Sequence, residues 1–540
     1  MSSDTVFTII STNFRPSALR SKKIKGLIML STPIRTQVVW FKRDLRNADH
    51  APLANASKIG PVVPLYIVEP AYWLLPDTSR RHWYFIHDSL TDLNKALTTS
   101  GAPLIIRVDN AISVLEDLRQ QLGLFTLWSH EETGNDWTYQ RDKQVALWCK
   151  THHIEWHETP TNGVVRRLTS RDNWLKLRNA RMAMALIAAP TLKPVNSIAS
   201  TPLPDKNHPI FGSESIGNVQ VGGRQAALKI LASFLHERGR HYLLTISKPG
   251  ASARHCSRLS AHITYGNLSL REVLQATEAK IASLQGDPGV EAKIFRKNLN
   301  AFLARLAWHC HFIQKLEQQP EIEFVCMHSA FEGMREPHFR RDFFTAWENG
   351  QTGYPLVDAC MRSLQLNGWI NFRMRAMLVS FASYDLWLDW RQTAPVLARL
   401  FTDYEAGIHY PQFQMQSGVT GINAVRIYNP IKQSYEHDPE GRFIRRYVPE
   451  LKDVPLTYLH EPWLLLEPPK NYPAPIVDHE IMMRFARKEI SQQWQQSGFK
   501  EEAKAIKRKI GSRKEKNNKK KRRDPEEELQ MGFRFEDDKQ

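Results

Sequence analysis

Short apolar runs at residues 38–41, 62–68, 104–108 and 125–128 alternate with longer stretches whose apolar positions recur every three or four residues, as in 80–97. Runs apolar on both faces and separated by helical segments predict a parallel sheet covered by helices, an α/β domain over 35–165. Past residue 220 the strand signal gives way. GGRQAALKILASFLHERGRHY places Ala226, Ala227, Leu231, Phe234 and Leu235 on one face and opens an all-α region predicted over 221–490. Between the two, 166–220 holds many prolines and serines and sustains no period after a helix-like SRDNWLKLRNARMAMALIAA, which reads as an interdomain connector.

Within the helical region, Leu356, Val357, Cys360, Met361 and Leu364 recur at helical spacing, and Gly368 stands where a left-handed C-terminal cap is needed. A second helix is predicted over 370–390. It carries Arg373 and Arg375 among Phe372, Met374, Met377, Leu378, Phe381, Trp387 and Trp390. A guanidinium in such apolar company needs an anion: Asp385, Asp389, Asp403, Glu405 or a phosphate-bearing ligand.

At 540 residues the chain is long enough for two or three domains, and no run of eighteen apolar residues predicts a membrane span. The net charge is +17, and residues 507–523 alone hold eleven basic side chains against Glu515, a net +10. The predicted basic tail, 491–540, is therefore either a solvated arm or a sequence-independent contact to nucleic-acid phosphates. Residues 1–34 are basic and serine-rich, either an organellar transit peptide or an unstructured extension; the second is preferred because Met29 lies just before the first strand. Five scattered cysteines without a C-x-x-C pair suit a reduced, cytoplasmic protein. In Trp308-His309-Cys310-His311 the two histidines would point about 200° apart on a helix, so no metal is expected there.

The stretch from Trp347 identifies a resemblance. WENGQTGYPLVDACMR, then Gly368-Trp369, Asp389-Trp390-Arg391, Arg426-Ile427-Tyr428-Asn429-Pro430 and FIRRYVPEL resemble the flavin-binding domain of the photolyase/cryptochrome family. VVWFKRDLRNADHAPL resembles that family's opening motif. The resemblance implies a doubly wound parallel-sheet antenna-type domain followed by a helical domain that binds FAD. It implies cofactor contacts from Tyr242, from Cys256-Ser257-Arg258-Leu259-Ser260 at a helix start, and from Arg375, Asp403, Tyr404, Glu405 and His409, the last near flavin N5. It also implies an antenna chromophore, a folate or a deazaflavin, beside Glu131, Glu132, Arg141 and Asp142.

The substrate positions depart from the pattern of pyrimidine-dimer photolyases. Arg305 stands where those enzymes carry glutamate, Phe372 precedes Arg373 where they carry asparagine, and Met415 replaces a tryptophan. Of the tryptophan relay that photoreduces the flavin, Trp390 remains, while Phe413 and Pro337 occupy the other stations. Trp387, Tyr410, Tyr384 and Trp369 are candidates for another route, and external reductants an alternative. Arg305, Trp308, Arg373 and Met415 are the expected substrate residues, with Arg335, Arg340, Arg341, Arg426 and Arg445 either phosphate contacts or ordinary charged surface. Two functions follow: a monomeric, light-driven lyase that splits a flipped pyrimidine lesion in duplex or single-stranded DNA, or a cryptochrome-like photoreceptor that repairs nothing. A flavoprotein that binds DNA without photochemistry is a third reading. The expected compartment is a bacterial-type cytoplasm, with nucleus or organelle open for a eukaryotic source.

Overall fold

The computed structural model describes residues 35–513; the N-terminal extension and the basic run beyond residue 513 lie outside the described residues. Strands β1 (Gln37–Phe41), β2 (Val62–Val68), β3 (Ile105–Val108), β4 (Thr126–His130) and β5 (Glu155–Thr159) pair in parallel in the order β3-β2-β1-β4-β5. The first four match the apolar runs. Strand β5, EWHET, escapes the hydrophobic pattern because it is an edge strand with charged, partly exposed side chains. Helices α1 (Ala51–Ile59), α2 (Arg80–Ser100), α3 (Ala111–Leu122) and α4 (Asp136–Thr151) connect successive strands. The strand order reverses between β1 and β4, and the crevice beyond their C-terminal ends is where doubly wound sheets place ligands.

The helical layer is built on α5 (Val290–Gln318), α6 (Pro355–Asn367), α7 (Phe372–Ser380), α8 (Trp390–Leu400) and α9 (Ala406–Gln416). Its core gathers Trp347, Met361, Met377, Leu397 and Phe413, all almost fully buried. Helices α5 and α9 pack so closely at Gly407 that a Cβ there would lie 2.8 Å from the Ile313 Cα. Gly368 ends α6 as predicted, at φ 64°, its N–H bonded to the Leu364 carbonyl at 2.8 Å.

The helix predicted over 370–390 is broken. Asn371 caps α7 by accepting the Met374 N–H at 3.0 Å; after Ser380 the chain makes one π-turn, Phe381–Asp385, and unwinds, with Trp387 at φ 51°. Asp389 then accepts the Arg391 N–H at 2.9 Å, so Trp390 starts α8 instead of ending the earlier helix. Arg335 holds the break. It is 1 % exposed, donates to the carbonyls of Ser383 (2.9 Å) and Ser417 (3.0 Å), and lies over the Trp387 ring at 4.5 Å. Arg335 is thus a core residue and no phosphate contact. Arg340 pairs with Asp342, and Arg445 donates to the Val454 carbonyl.

Two expectations about chain organisation change. The connector is pinned down: the Leu192 N–H bonds the Ser100 carbonyl at 2.7 Å, and Phe211 stacks on Trp83 at 4.0 Å. The start of the basic tail packs too. Helix α10 (His479–Trp494) is followed by α11 (Phe499–Ile510), whose Phe499, Ile506 and Ile510 are buried, with Phe499 stacked on His328 at 3.9 Å. These buried apolar positions sit seven and four residues apart among lysines, which hid an amphipathic helix inside a charge run. All five cysteines are free and buried. Among the described residues no helix is long and apolar enough to cross a membrane.

Candidate functional site

The segment 254–260 forms one wall of the site. Arg238 pins it from behind, donating to the carbonyls of Arg254 (2.8 Å), Cys256 (2.6 Å) and Ser257 (3.2 Å). Arg258 turns through φ 61° and places its guanidinium over the Trp369 ring at 4.1 Å. Ser260 opens a helix of only five residues, Ser260–Thr264, so any helix-dipole contribution is weak and the guanidinium groups dominate. Leu259 is fully buried behind the loop. Burial pushes the Cys256 thiol up to about 12, so where the family carries a threonine hydroxyl this chain offers a neutral thiol.

Asp403 faces this wall. Arg375 meets its Oδ2 at 2.9 Å while also donating to the Ile370 carbonyl at 2.9 Å and lying over Phe401. Burial alone would raise the Asp403 carboxyl, but Arg375, the Ser260 hydroxyl and Arg258 hold it below the usual range. Burial lowers Arg258 to about 10, and Arg375 and Arg238 add repulsion. Arg375 and Arg258 therefore share one carboxylate, and Asp403 Oδ1 is buried without a hydrogen-bond partner. Arg305 adds to the excess: its charge acts on Tyr242, whose hydroxyl burial has pushed up, and it lies over Trp308 at 4.8 Å. A surplus of buried positive charge with an unpartnered acceptor fits a diphosphate joined to a polar ring system, as in FAD. Tyr242, Ser257, Arg258, Ser260, Arg375 and Asp403 are the groups that would hold it.

Several predicted contacts turn elsewhere. Glu405 pairs with Arg43 from the end of β1 at 3.7 Å, and Arg43 donates to the Tyr404 carbonyl at 2.6 Å, which ties the two layers together. The Tyr404 hydroxyl bonds Asp77, a residue sequence reasoning missed. His409 Nε2 lies 2.9 Å from the Ala394 carbonyl, and since a carbonyl only accepts, that nitrogen carries the hydrogen. Burial lowers His409 to about 4, so the ring is neutral near pH 7 with Nδ1 as a lone-pair acceptor. Phe413 lies 5.1 Å from His409, and Trp390 is buried 6.5 Å from Tyr410. Arg373 donates to Ser247 at 3.0 Å beside an exposed Phe372, while Trp308 and Met415 are half-buried.

The antenna-side residues are engaged among themselves. Lys42 pairs with Asp142 at 2.8 Å, and Arg141 with Glu132 at 2.6 Å and Glu69 at 3.0 Å; Glu131 is half-buried and pushed up by burial. The void among Trp40, Lys42, Tyr66 and Arg141 measures only 60 Å³. A larger cleft of 570 Å³ opens between the layers, lined by Asp77, Asn135, Trp137, Glu323, Trp390 and Tyr410. At the switch point Asp44 Oδ2 takes hydrogen bonds from His50 (2.9 Å) and His130 (2.6 Å). The Leu53 N–H occupies His50 Nδ1, so this cluster is spent on cross-linking β1, β4 and α1. His309 and His311 diverge as predicted, His311 toward Arg171 at 3.2 Å.

Comparison with known proteins agrees with the geometry. Residues 37–173 match the family model described as DNA photolyase, and 302–492 the FAD binding domain of DNA photolyase. The chain is 29% identical over 480 residues to a deoxyribodipyrimidine photo-lyase of Salmonella typhimurium, covering 82% of this chain and 96% of that protein. It is 25% identical over 481 residues to a cryptochrome DASH of Gloeobacter violaceus, covering 82% and 93%. The crystal structure of a bacterial class III photolyase from Agrobacterium tumefaciens superposes with a TM-score of 0.73 at 23% identity, covering 87% of this chain and 100% of that one. With both layers matched and a cradle that suits its cofactor, the chain belongs to the photolyase/cryptochrome family and carries that family's FAD-binding domain.

Proposed function

We propose that this chain is a FAD-dependent, blue-light-driven lyase acting on a flipped pyrimidine lesion in DNA. The observation that carries the reading is the cationic cradle around Asp403 within a chain matched along 82% of its length to a photo-lyase. FAD, when bound, reduced and excited, supplies the electron that splits the lesion. The chain's own groups position and insulate. Arg258, Arg375 and the Ser257 and Ser260 hydroxyls bind the diphosphate; neutral His409 offers an acceptor at Nδ1; Trp308 stacks on an extruded base. Arg373, at the exposed N-terminus of α7, meets a phosphate or base edge, next to Phe372 in place of the usual asparagine. The protein works as a monomer in a reducing cytoplasm, where its five buried thiols persist.

The cryptochrome-like reading is favoured by one specific observation, the direction of Arg305. It is a cation lying over Trp308 beside Tyr242, so no acid stands ready to hydrogen-bond lesion bases from that position. One assay separates the two: chemically reduced protein is mixed with oligonucleotides holding a cyclobutane dimer or a (6-4) product and exposed to blue light. Restored pyrimidines, read by chromatography, are expected. Unchanged lesions after many excitations of a flavin-loaded sample would remove the lyase reading and leave the photoreceptor.

A further inference from the structure

Of the family's three relay stations the distal one is Pro337, so Trp390 needs another electron donor, and the proximal one is Phe413, which leaves Trp390 as the oxidisable station nearest the flavin. Among the four aromatic candidates, Trp387 meets Phe485 and Arg335, Tyr384 lies over Arg335, and Trp369 lies under Arg258. A cation against the ring opposes its oxidation; Arg391 over Trp390 at 4.8 Å does the same there, which makes an oxidised Trp390 the stronger oxidant toward its neighbour. Tyr410 differs: its ring centroid is 6.5 Å from Trp390 and its hydroxyl is 3.4 Å from Asp77 Oδ2. Tyr404 and Asn135 donate to the same Asp77 oxygen, and Oδ1 is buried without a partner, so the carboxylate is firmly placed yet keeps acceptor capacity. Asp77, Tyr410 and Trp390 all line the 570 Å³ cleft, which gives water and small molecules access.

A phenol whose proton stays on oxygen is hard to oxidise, because the oxidised form is a strong acid; a hydrogen-bonded carboxylate removes that obstacle. We propose that Tyr410 is the terminal electron donor of this protein's relay, with Asp77 as its proton acceptor and Trp390 as the station it refills. One electron passes from Tyr410 to a Trp390 cation radical, whose own electron the light-excited flavin of the holoprotein would have taken, and the phenolic proton passes to Asp77. The products are neutral tryptophan, a neutral tyrosyl radical and a protonated carboxyl. A small thiol in the cleft then gives a hydrogen atom to the Tyr410 oxygen, Asp77 releases its proton to water, and two thiyl radicals join as a disulfide.

The inference rests on the flavin-binding reading, and the test distinguishes the two failures. Full-length protein purified with its flavin is excited by a blue flash and followed by transient absorption and electron paramagnetic resonance. In the wild type a tryptophan radical should give way to a neutral tyrosyl radical, at least twofold more slowly in D2O. Tyr410→Phe should abolish the tyrosyl signal and shorten the charge-separated state at least tenfold. Asp77→Asn should slow tyrosyl formation at least tenfold and Asp77→Glu should restore it, with flavin per chain unchanged in each. A tyrosyl radical that survives in Tyr410→Phe, or a rate indifferent to Asp77→Asn, overturns the proposal. A purified protein without flavin absorption overturns the flavin reading itself.

Discussion

Arg305 shows how a single side chain reassigns a site. By position it belongs to the substrate pocket, yet its charge acts on Tyr242 and extends the cationic cradle. Restoring the family's acid with Arg305→Glu should therefore lower FAD retention at least tenfold, read as flavin per chain after gel filtration, without gaining affinity for damaged DNA. Tighter lesion binding at full flavin occupancy would place Arg305 in the substrate pocket instead. His409 is a second case. A histidine held near 4 by burial does not titrate between pH 6 and 8. The flavin's spectral and redox pH profile across that range should thus be the same in His409→Asn and wild type, and a lost inflection near pH 7 would show that the ring charges in the loaded protein.

At the scale of elements, the family's most recognisable motif turns out to build the frame. Asp358 in GYPLVDA is fully buried and accepts the N–H groups of Thr352 (2.8 Å) and Gly353 (3.1 Å) and the Tyr472 hydroxyl (2.6 Å). The closure by Thr352 and Gly353 is legible in sequence because these partners lie within a few residues, as is the Gly368 cap, whereas Tyr472 reaches Asp358 across 114 residues. The break after Ser380 was not legible. Its clamp, Arg335, comes from 48 residues upstream and looks like any surface arginine until its burial is known. Arg238 and Asp77 were missed for the same reason, since Asp77 meets Tyr404 across 327 residues. Removing the clamp with Arg335→Met would leave two buried carbonyls unsatisfied and should cost about 2–4 kcal/mol in denaturant unfolding. It should also loosen Trp387, seen as a red shift in tryptophan fluorescence. A cost below about 0.5 kcal/mol would mean that the π-turn holds itself.

Across the whole molecule, burial has withdrawn an unusual number of imidazoles from water. His82, His262, His309, His409 and His437 are pushed down to about 4, His130 to about 3 and His311 to about 2, in each case mainly by burial. In the unfolded chain they protonate near 6.5. The native state must keep them neutral, so the stability they confer is present above pH 6.5 and is lost as pH falls from there toward 4. At pH 5.5 each fully buried one withdraws about 1.4 kcal/mol, and four of them, His82, His130, His262 and His409, are under 9 % exposed. Their sum is comparable to the whole stability of an ordinary domain, about 5–15 kcal/mol. Burial raises Glu323 to about 8 and Asp385 to about 6, which acts in the opposite sense, since a carboxyl kept neutral in the native state favours folding as pH falls. Glu69, Glu131, Glu317, Asp358, Asp389, Glu405 and Asp438 are pushed up as well, but by less than these two, so the imidazoles set the sign between pH 7 and pH 5. Thermal melts should accordingly show Tm dropping steadily from pH 7 to pH 5, and a flat or rising Tm over that interval would mean that these rings meet water or a bound anion in the native protein.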